Sequence, residues 1–427
     1  MISGKSPPRP RHYAWIVLAV TFVTLLATAG VRSVPGIIIP SLEREFGWSR
    51  ESITFAVSIN LLLFGLAGPY LGRWMDLFGP RVVMLSTAGL TSLGAIATLF
   101  MQSPWQMTLF WGVIMGAGSA GCSMVMGSAV VSRWFIARRG LALGILGAAM
   151  SAGQLIFTPV LMHLDMTYGW RSTTLFVALL TGAVVLPLIL LFMRDNPAGI
   201  GLGLLGDDLG AVKIPKPDIH PMIHALRTRE FWLLASSFGM CGLTTSGLLQ
   251  THLIPHGLEH GFSEMTMAVS LGIMGAADIV GTVGSGWICD RFGQRGPLAI
   301  YYLLRGASLL LLPFIEHAEA LMVFSVIYGL NWLSTVPATS ALTADFFGKQ
   351  NVGVVFGWIF CAHQLGAAIA AYGASFVHTW IGDYSVAFFM SGAFAIIATG
   401  LVWGIRPKSL VLAQTQEQRL CRWSEFR

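Results

Sequence analysis

Hydrophobic positions in this chain do not alternate and do not trace a one-sided stripe. They run on for twenty residues or more, stop at a short polar cluster, and start again. Twelve such runs can be read, at about 13–39, 51–74, 81–101, 105–133, 139–164 and 171–193, then 231–256, 264–288, 297–316, 319–346, 351–380 and 384–405. An apolar run of about 20 residues crosses the hydrocarbon core as a helix, so the pattern predicts an all-α membrane protein with twelve transmembrane helices. Continuous rather than alternating hydrophobicity excludes a β-barrel. Pro35, Pro159, Pro187 and Pro337 fall inside runs, which neighbouring helices tolerate in a membrane bundle. The first run is too long for a signal peptide and lacks a small-residue cleavage site.

Composition sharpens this picture. Hydrophobic residues make up 55% and charged residues 11% of the chain, where soluble domains carry about 25% charged residues. Most of the 26 Lys and Arg lie on one side of the spans, and the opposite loops hold only Arg44, Arg50 and Arg171. By the positive-inside rule both termini are expected in the cytoplasm of a bacterial-type inner membrane. The pI of about 9.2 then reflects contact with the lipid bilayer and its anionic headgroups, with no nucleic acid partner. None of the five cysteines (Cys122, Cys241, Cys289, Cys361, Cys421) falls in an outer loop. Neither disulfides nor a metal site are expected, and no cofactor motif appears. Gly116, Gly118 and Gly121 spell G-x-G-x-x-G, but inside an apolar span with no preceding strand, so close helix packing is the better reading.

One long polar stretch divides the spans six and six. The expected organisation is a bundle over 1–193, a central loop over 194–230, a second bundle over 231–405 and a tail over 406–427. The halves also match in sequence. Residues 46–81 align without a gap to 260–295 at an offset of 214, with Gly47/Gly261, Ser49/Ser263, Gly72/Gly286, Asp76/Asp290, Gly79/Gly293 and Arg81/Arg295 identical. Two homologous six-helix halves imply a pseudo-twofold axis along the membrane normal, with a cavity between them.

Twelve spans, a long central loop and a G-x-x-x-D-x-x-G-x-R loop after the second and eighth spans resemble the major facilitator superfamily over essentially the whole chain. Leu77 stands where that family usually has a basic residue; the second copy, with Arg291, is closer to pattern. The loops (Gly72, Asp76, Arg81; Gly286, Asp290, Arg291, Arg295) are expected to gate the inner side. Asp76 and Asp290 end their helices, where the dipole disfavours an anion. Each should therefore face Arg81 or Arg295 and a helix N-terminus of the other half.

Away from the span ends, Arg32, Asp278 and Arg305 are the charged residues within spans, and a carboxylate at mid-span costs roughly 2.5–3.5 kcal/mol. The family fold implies that spans 1, 2, 4, 5, 7, 8, 10 and 11 line the cavity. Arg32 and Asp278 should then face it, while Arg305 takes a structural role. Counted from the end of its run, Arg32 lies roughly 10 Å deep and Asp278 roughly 18 Å from the inner end, so the two should not be level. Arginine suits a planar carboxylate, which it holds by two parallel bonds. Asp278 is either the resting counter-ion of Arg32 or the carrier of a coupling proton.

FGWSR at residues 46–50 and the Asp278 span resemble, more narrowly, the monocarboxylate porter and oxalate–formate porter branch. That branch typically has an arginine four residues after the aspartate, where this chain has Thr282. Arg32, from the other half, is expected to supply the positive charge instead. Further substrate-facing candidates are Asn60, Gln154, Asn331, Trp332, His363 and Gln364, with His363 a second candidate for proton coupling.

The reading is a secondary transporter, not an enzyme, that moves a small organic anion by alternating access with protons or a counter-anion, as a monomer. One alternative is an efflux antiporter, although the fifth span, GILGAAMSAGQLIFTPV, lacks the Gly-Pro pair typical of that group. The other is a non-transporting ligand sensor.

Overall fold

The computed structural model describes residues 13–135, 138–205, 221–348 and 351–406, with Gly72, Asp76, Arg139, Gly140 and Asp290 described by backbone alone. Twelve helices are long and apolar enough to cross a membrane. They are α1 (Ala14–Phe46), α2 (Arg50–Leu71), α3 (Leu77–Thr98), α4 (Pro104–Trp134), α5 (Leu141–Tyr168) and α6 (Trp170–Phe192) in the first half. The second half has α7 (Arg229–Glu259), α8 (Glu264–Cys289), α9 (Arg295–Phe314), α10 (Ala318–Phe347), α11 (Val352–Ile381) and α12 (Ser385–Trp403).

The duplication read from sequence recurs in the backbone. Ser49 caps α2 by accepting from the Ser52 amide, and Ser263 caps α8 by accepting from the Thr266 amide, 214 residues on. Gly47 and Gly261 turn into these caps at φ 64° and 83°; Gly79 kinks the chain where α2 gives way to α3, at φ 81°, and Gly293 ends α8 at φ 77°. Only glycine takes such angles freely. At Gly79 a side chain would also run into the Asp195 carboxylate.

Helices α1–α6 pack on one another, as do α7–α12, and the halves meet along α2–α11, α5–α8 and α1–α7. Close approach follows from small residues. A Cβ on Gly36 of α1 would lie 2.5 Å from the Gln250 carbonyl of α7, and one on Gly275 of α8 would lie 2.9 Å from the Leu155 amide of α5. Gly116 packs on Asn60 of α2 and Gly118 on Thr91 of α3 in the same way, which accounts for the glycines of the G-x-G-x-x-G run.

Two helices are interrupted. In α4 the helix stops at Ala120 and restarts at Met124; in α10 it stops at Asn331 and restarts at Thr335. Pro337 contributes to the second break, since it has no N–H to return to the Leu333 carbonyl four residues back.

Helix α1 corrects an expectation. Its run is expected to end near residue 39, but the helix continues through Pro40 to Phe46. Arg32 is therefore fourteen residues from that end, about 21 Å, the same separation as Asp278 from the start of α8 at Glu264. The two residues are level in the bundle. The apolar run ends near residue 39 while the helix goes on to Phe46, so run length alone places them at different depths.

The repeat-loop arginines bind within their own halves. Arg81 donates to the Leu190 carbonyl near the end of α6 at 2.6 Å, and its amide donates to Asp195 at 2.9 Å. Arg295 donates to the Trp403 carbonyl that ends α12 and lies 4.9 Å over that indole. Both satisfy helix C-terminal carbonyls, where the dipole favours a cation. Arg291 lies over Trp287 at 5.6 Å. The expected contact with the other half rests on the Asp76 and Asp290 side chains, outside the described atoms. Residues 206–220 of the central loop and the tail beyond Arg406 also lie outside the described residues.

Candidate functional site

Between the halves, at mid-depth, Arg32 lines a cavity of about 20 Å³ with Asn60, Trp111, Ser246, Gln250 and Thr251 among its walls. That is room for about one water molecule. The guanidinium lies 4.7 Å over the Phe64 ring of α2 and donates one hydrogen bond, 3.1 Å, to Ser246 of α7. Ser246 is its counterpart in the repeat, 214 residues on. Arg32 thus touches both halves, and a cation on a ring face is held without using its N–H donors.

Asp278 is 2% exposed and is not among the residues lining that cavity. Its carboxylate accepts from Ser151 of α5 at 2.6 Å, from Thr282 at 3.2 Å and from the Leu333 amide at 2.8 Å. The Ser151 bond crosses between halves; the Leu333 bond goes to the break in α10. The same break holds Arg305, fully buried, which donates to the Asn331 side chain at 3.2 Å, to the Asn331 carbonyl, and to the Trp332 carbonyl at 2.7 Å. It also donates to Cys241 Sγ at 2.8 Å and lies over the Tyr302 and Tyr328 rings at 5.7 and 5.8 Å. A broken helix leaves carbonyls and amides unpaired, and each unpaired group in a bilayer costs several kcal/mol. Arg305 takes the carbonyls and Asp278 takes the amide. The counter-ion pairing expected between Asp278 and Arg32 is absent from the described ion pairs; Asp278 and Arg305 instead bond the adjacent residues Leu333 and Trp332 of the break.

The other candidates separate into two groups. Asn60 donates to the Trp111 carbonyl at 2.8 Å within its own half, and Asn331 is occupied by Arg305 and the Ile327 carbonyl. Trp332 is buried edge-on against Tyr328. Asn331 and Trp332 are committed to packing, while Asn60 keeps its place on the wall of the Arg32 cavity. By contrast, Gln154 Nε2, His363 Nδ1 and both polar atoms of Gln364 are buried with no hydrogen-bond partner among the described residues. His363 lies 4.7 Å from Phe238 and stacks on Phe360 at 5.6 Å, while Phe360 lies 6.0 Å from Phe64. A line of rings thus connects Arg32 to His363 across the two halves.

One group escaped the sequence reading, which used Arg44 and Arg50 for topology and Arg50 in the FGWSR motif but did not connect them to partners. Arg44 bonds Glu264 at 3.3 Å, joining α1 to α8. Arg50 bonds Glu43 at 2.6 Å, Glu259 at 2.5 Å and the Tyr384 hydroxyl at 3.0 Å, joining α2 to the second half. The signal was available: Arg50 and Glu264 are repeat counterparts of opposite charge, and paralogous halves that meet face to face can pair at such positions. Deeper along the same junction, Ser58 donates to the Ala368 carbonyl at 2.7 Å. Beyond these positions, a Cβ on Gly68, Gly144, Gly147 or Gly284 would find no neighbour within 4 Å. The halves are therefore held together at the Arg50 end.

Comparison with known proteins agrees with this architecture. The family profile described as Major Facilitator Superfamily matches residues 20–332 and 277–427. Monocarboxylate transporter 11 of Mus musculus is 26% identical over 419 residues, covering 94% of this chain and 89% of its own. Monocarboxylate transporter 13 of Bos taurus is 24% identical, covering 93% and 90%. The uncharacterized MFS-type transporter YcxA of Bacillus subtilis is 27% identical over 366 residues, covering 84% and 86%. With twelve spans in two repeated bundles and a family match that runs nearly from end to end, the chain belongs to the major facilitator superfamily of membrane transporters.

Proposed function

We propose that the chain carries a small monocarboxylate across the bacterial inner membrane by alternating access, with Arg32 as the carboxylate anchor and Asp278 as the coupling acid. The observation that carries this reading is the setting of Arg32. It is on the wall of the cavity between the halves, stacked on Phe64, with a single hydrogen bond to Ser246. A guanidinium offers five donors in a planar fork, so a carboxylate has a bidentate seat there once the cavity widens. Gln154, His363 and Gln364, with buried atoms lacking partners, supply polar contacts to a solute of that kind. Similarity to monocarboxylate transporters 11 and 13 supports the monocarboxylate class.

The coupling role rests on the bonds of Asp278. As a carboxylate it accepts from Ser151, Thr282 and the Leu333 amide; once protonated it has less acceptor capacity. A proton therefore loosens the tie to α5 of the opposite half and the hold on the α10 break together. The halves then rock about the loaded site.

A thermal-shift screen of the purified protein against carboxylates of increasing size tests the anchor. Stabilisation by a small monocarboxylate in wild type, absent in Arg32→Ala, is the expected result. A shift of equal size in the variant removes Arg32 from the site.

A further inference from the structure

The last turn of α7 reads His256-Gly-Leu-Glu-His260, which places two imidazoles four residues apart on one helix face. Their ring centroids are 4.1 Å apart. The turn between α11 and α12 brings Asp383 to the same place, and one ligand atom from each of the three lies within 4.8 Å of the others. Their states suit coordination. His260 Nδ1 lies 2.9 Å from the His256 carbonyl; with that nitrogen donating, Nε2 is the free acceptor, the arrangement usual for a metal-ligating histidine. His256 is 4% exposed, and its Nδ1 is buried with no hydrogen-bond partner among the described residues.

We propose that His256, His260 and Asp383 form a binding site for a divalent transition metal of the zinc class, held by two imidazole nitrogens and one carboxylate oxygen with a fourth position open to water. That donor set matches a three-ligand zinc site with an open position. Metal–ligand bonds of about 2.0–2.1 Å place tetrahedral ligands roughly 3.3 Å apart, so the three side chains close inward by rotation on binding. His260 is exposed and gives the ion its entry.

The position connects the ion to the junction between halves. Glu259, within the His-x-x-x-His turn, pairs with Arg50 and with His378 at 3.0 Å. Tyr384, next to Asp383, bonds both Arg50 and His252. A bound metal fixes the turn that presents Tyr384 to Arg50, so its occupancy is felt at the contact that holds the halves together.

Titration of the tag-free, full-length protein in detergent with Co²⁺ tests the site. The expected result is one visible absorption band of a four- or five-coordinate N/O site, saturating at one ion per chain and bleached by Zn²⁺. His260→Ala and Asp383→Asn should each weaken binding at least about tenfold, since even outer-shell changes around a metal-ligating histidine cost roughly 10–100-fold. Both should leave the unfolding temperature of the metal-free protein unchanged. No band in the wild type, or a band of equal affinity in both variants, overturns the proposal.

Discussion

The break in α4 and the break in α10 occupy corresponding places in the two halves, yet they are stabilised by different means. Around the first, Thr91 donates only to the Thr87 carbonyl of its own helix at 2.9 Å. Gly118 lets that helix approach so closely that a Cβ would sit 2.6 Å from the Thr91 hydroxyl. Around the second, a buried guanidinium and a carboxylate take up the freed backbone groups. The repeat offset makes the contrast residue by residue: Thr91 corresponds to Arg305, and Phe64 to Asp278. One half solves the problem by bringing helices together, the other by inserting charge. A charged solution can respond to a proton, and an apolar one cannot. In the first half, the Phe64 position instead supports Arg32. Divergence from a common repeat has thus placed the proposed anchor, Arg32, on one side and the proposed coupling acid, Asp278, on the other.

The comparison can be broken most forcefully at Arg305. Arg305→Met leaves the Asn331 and Trp332 carbonyls without their donor, and each buried polar group left unpaired costs about 1–3 kcal/mol. Thermal unfolding in detergent should show a large loss of stability, and an unchanged transition would refute the capping role. Arg32→Ala should cost solute binding about 2 kcal/mol or more, the worth of charge-assisted bonds, which is a roughly thirtyfold rise in Kd. Its unfolding should be nearly unchanged, because only the Ser246 bond and the ring contact are lost. Gly121→Ala probes the other break by size. Its Cβ would meet Thr87, and overpacking of this kind costs about 1–3 kcal/mol, readable in the same melt. Glu259→Gln should have the smallest effect on stability, about 1 kcal/mol or less for a part-exposed pair. It should nevertheless favour opening at the Arg50 end, read as faster alkylation of a cysteine placed at Ser58.

Much of the architecture was legible because hydrophobic runs and a gapless repeat are strong signals. Helix α1 was the exception: its last turns carry Glu43, Arg44 and Glu45, so polarity ended the run where hydrogen bonding did not end the helix. The site was legible in its charges but not in their partners. Asp278 and Arg305 stand out by residue type, whereas the groups they serve are backbone carbonyls and an amide, which no composition reveals. Asn60 and Asn331 looked free on lining helices, yet each had a carbonyl or guanidinium partner supplied by another helix. The Arg50 network was hidden by the ordinary look of charged loop residues.

The role of Asp278 is open to one direct measurement: uptake into proteoliposomes of a monocarboxylate that the wild type accumulates, under an imposed pH gradient and, separately, in counterflow. Asp278→Asn retains a side chain that can accept a hydrogen bond but no longer takes up a proton. Counterflow should persist while gradient-driven accumulation disappears. Accumulation at the wild-type level in Asp278→Asn would contradict the account and move the coupling proton elsewhere, with His363 the next residue to change.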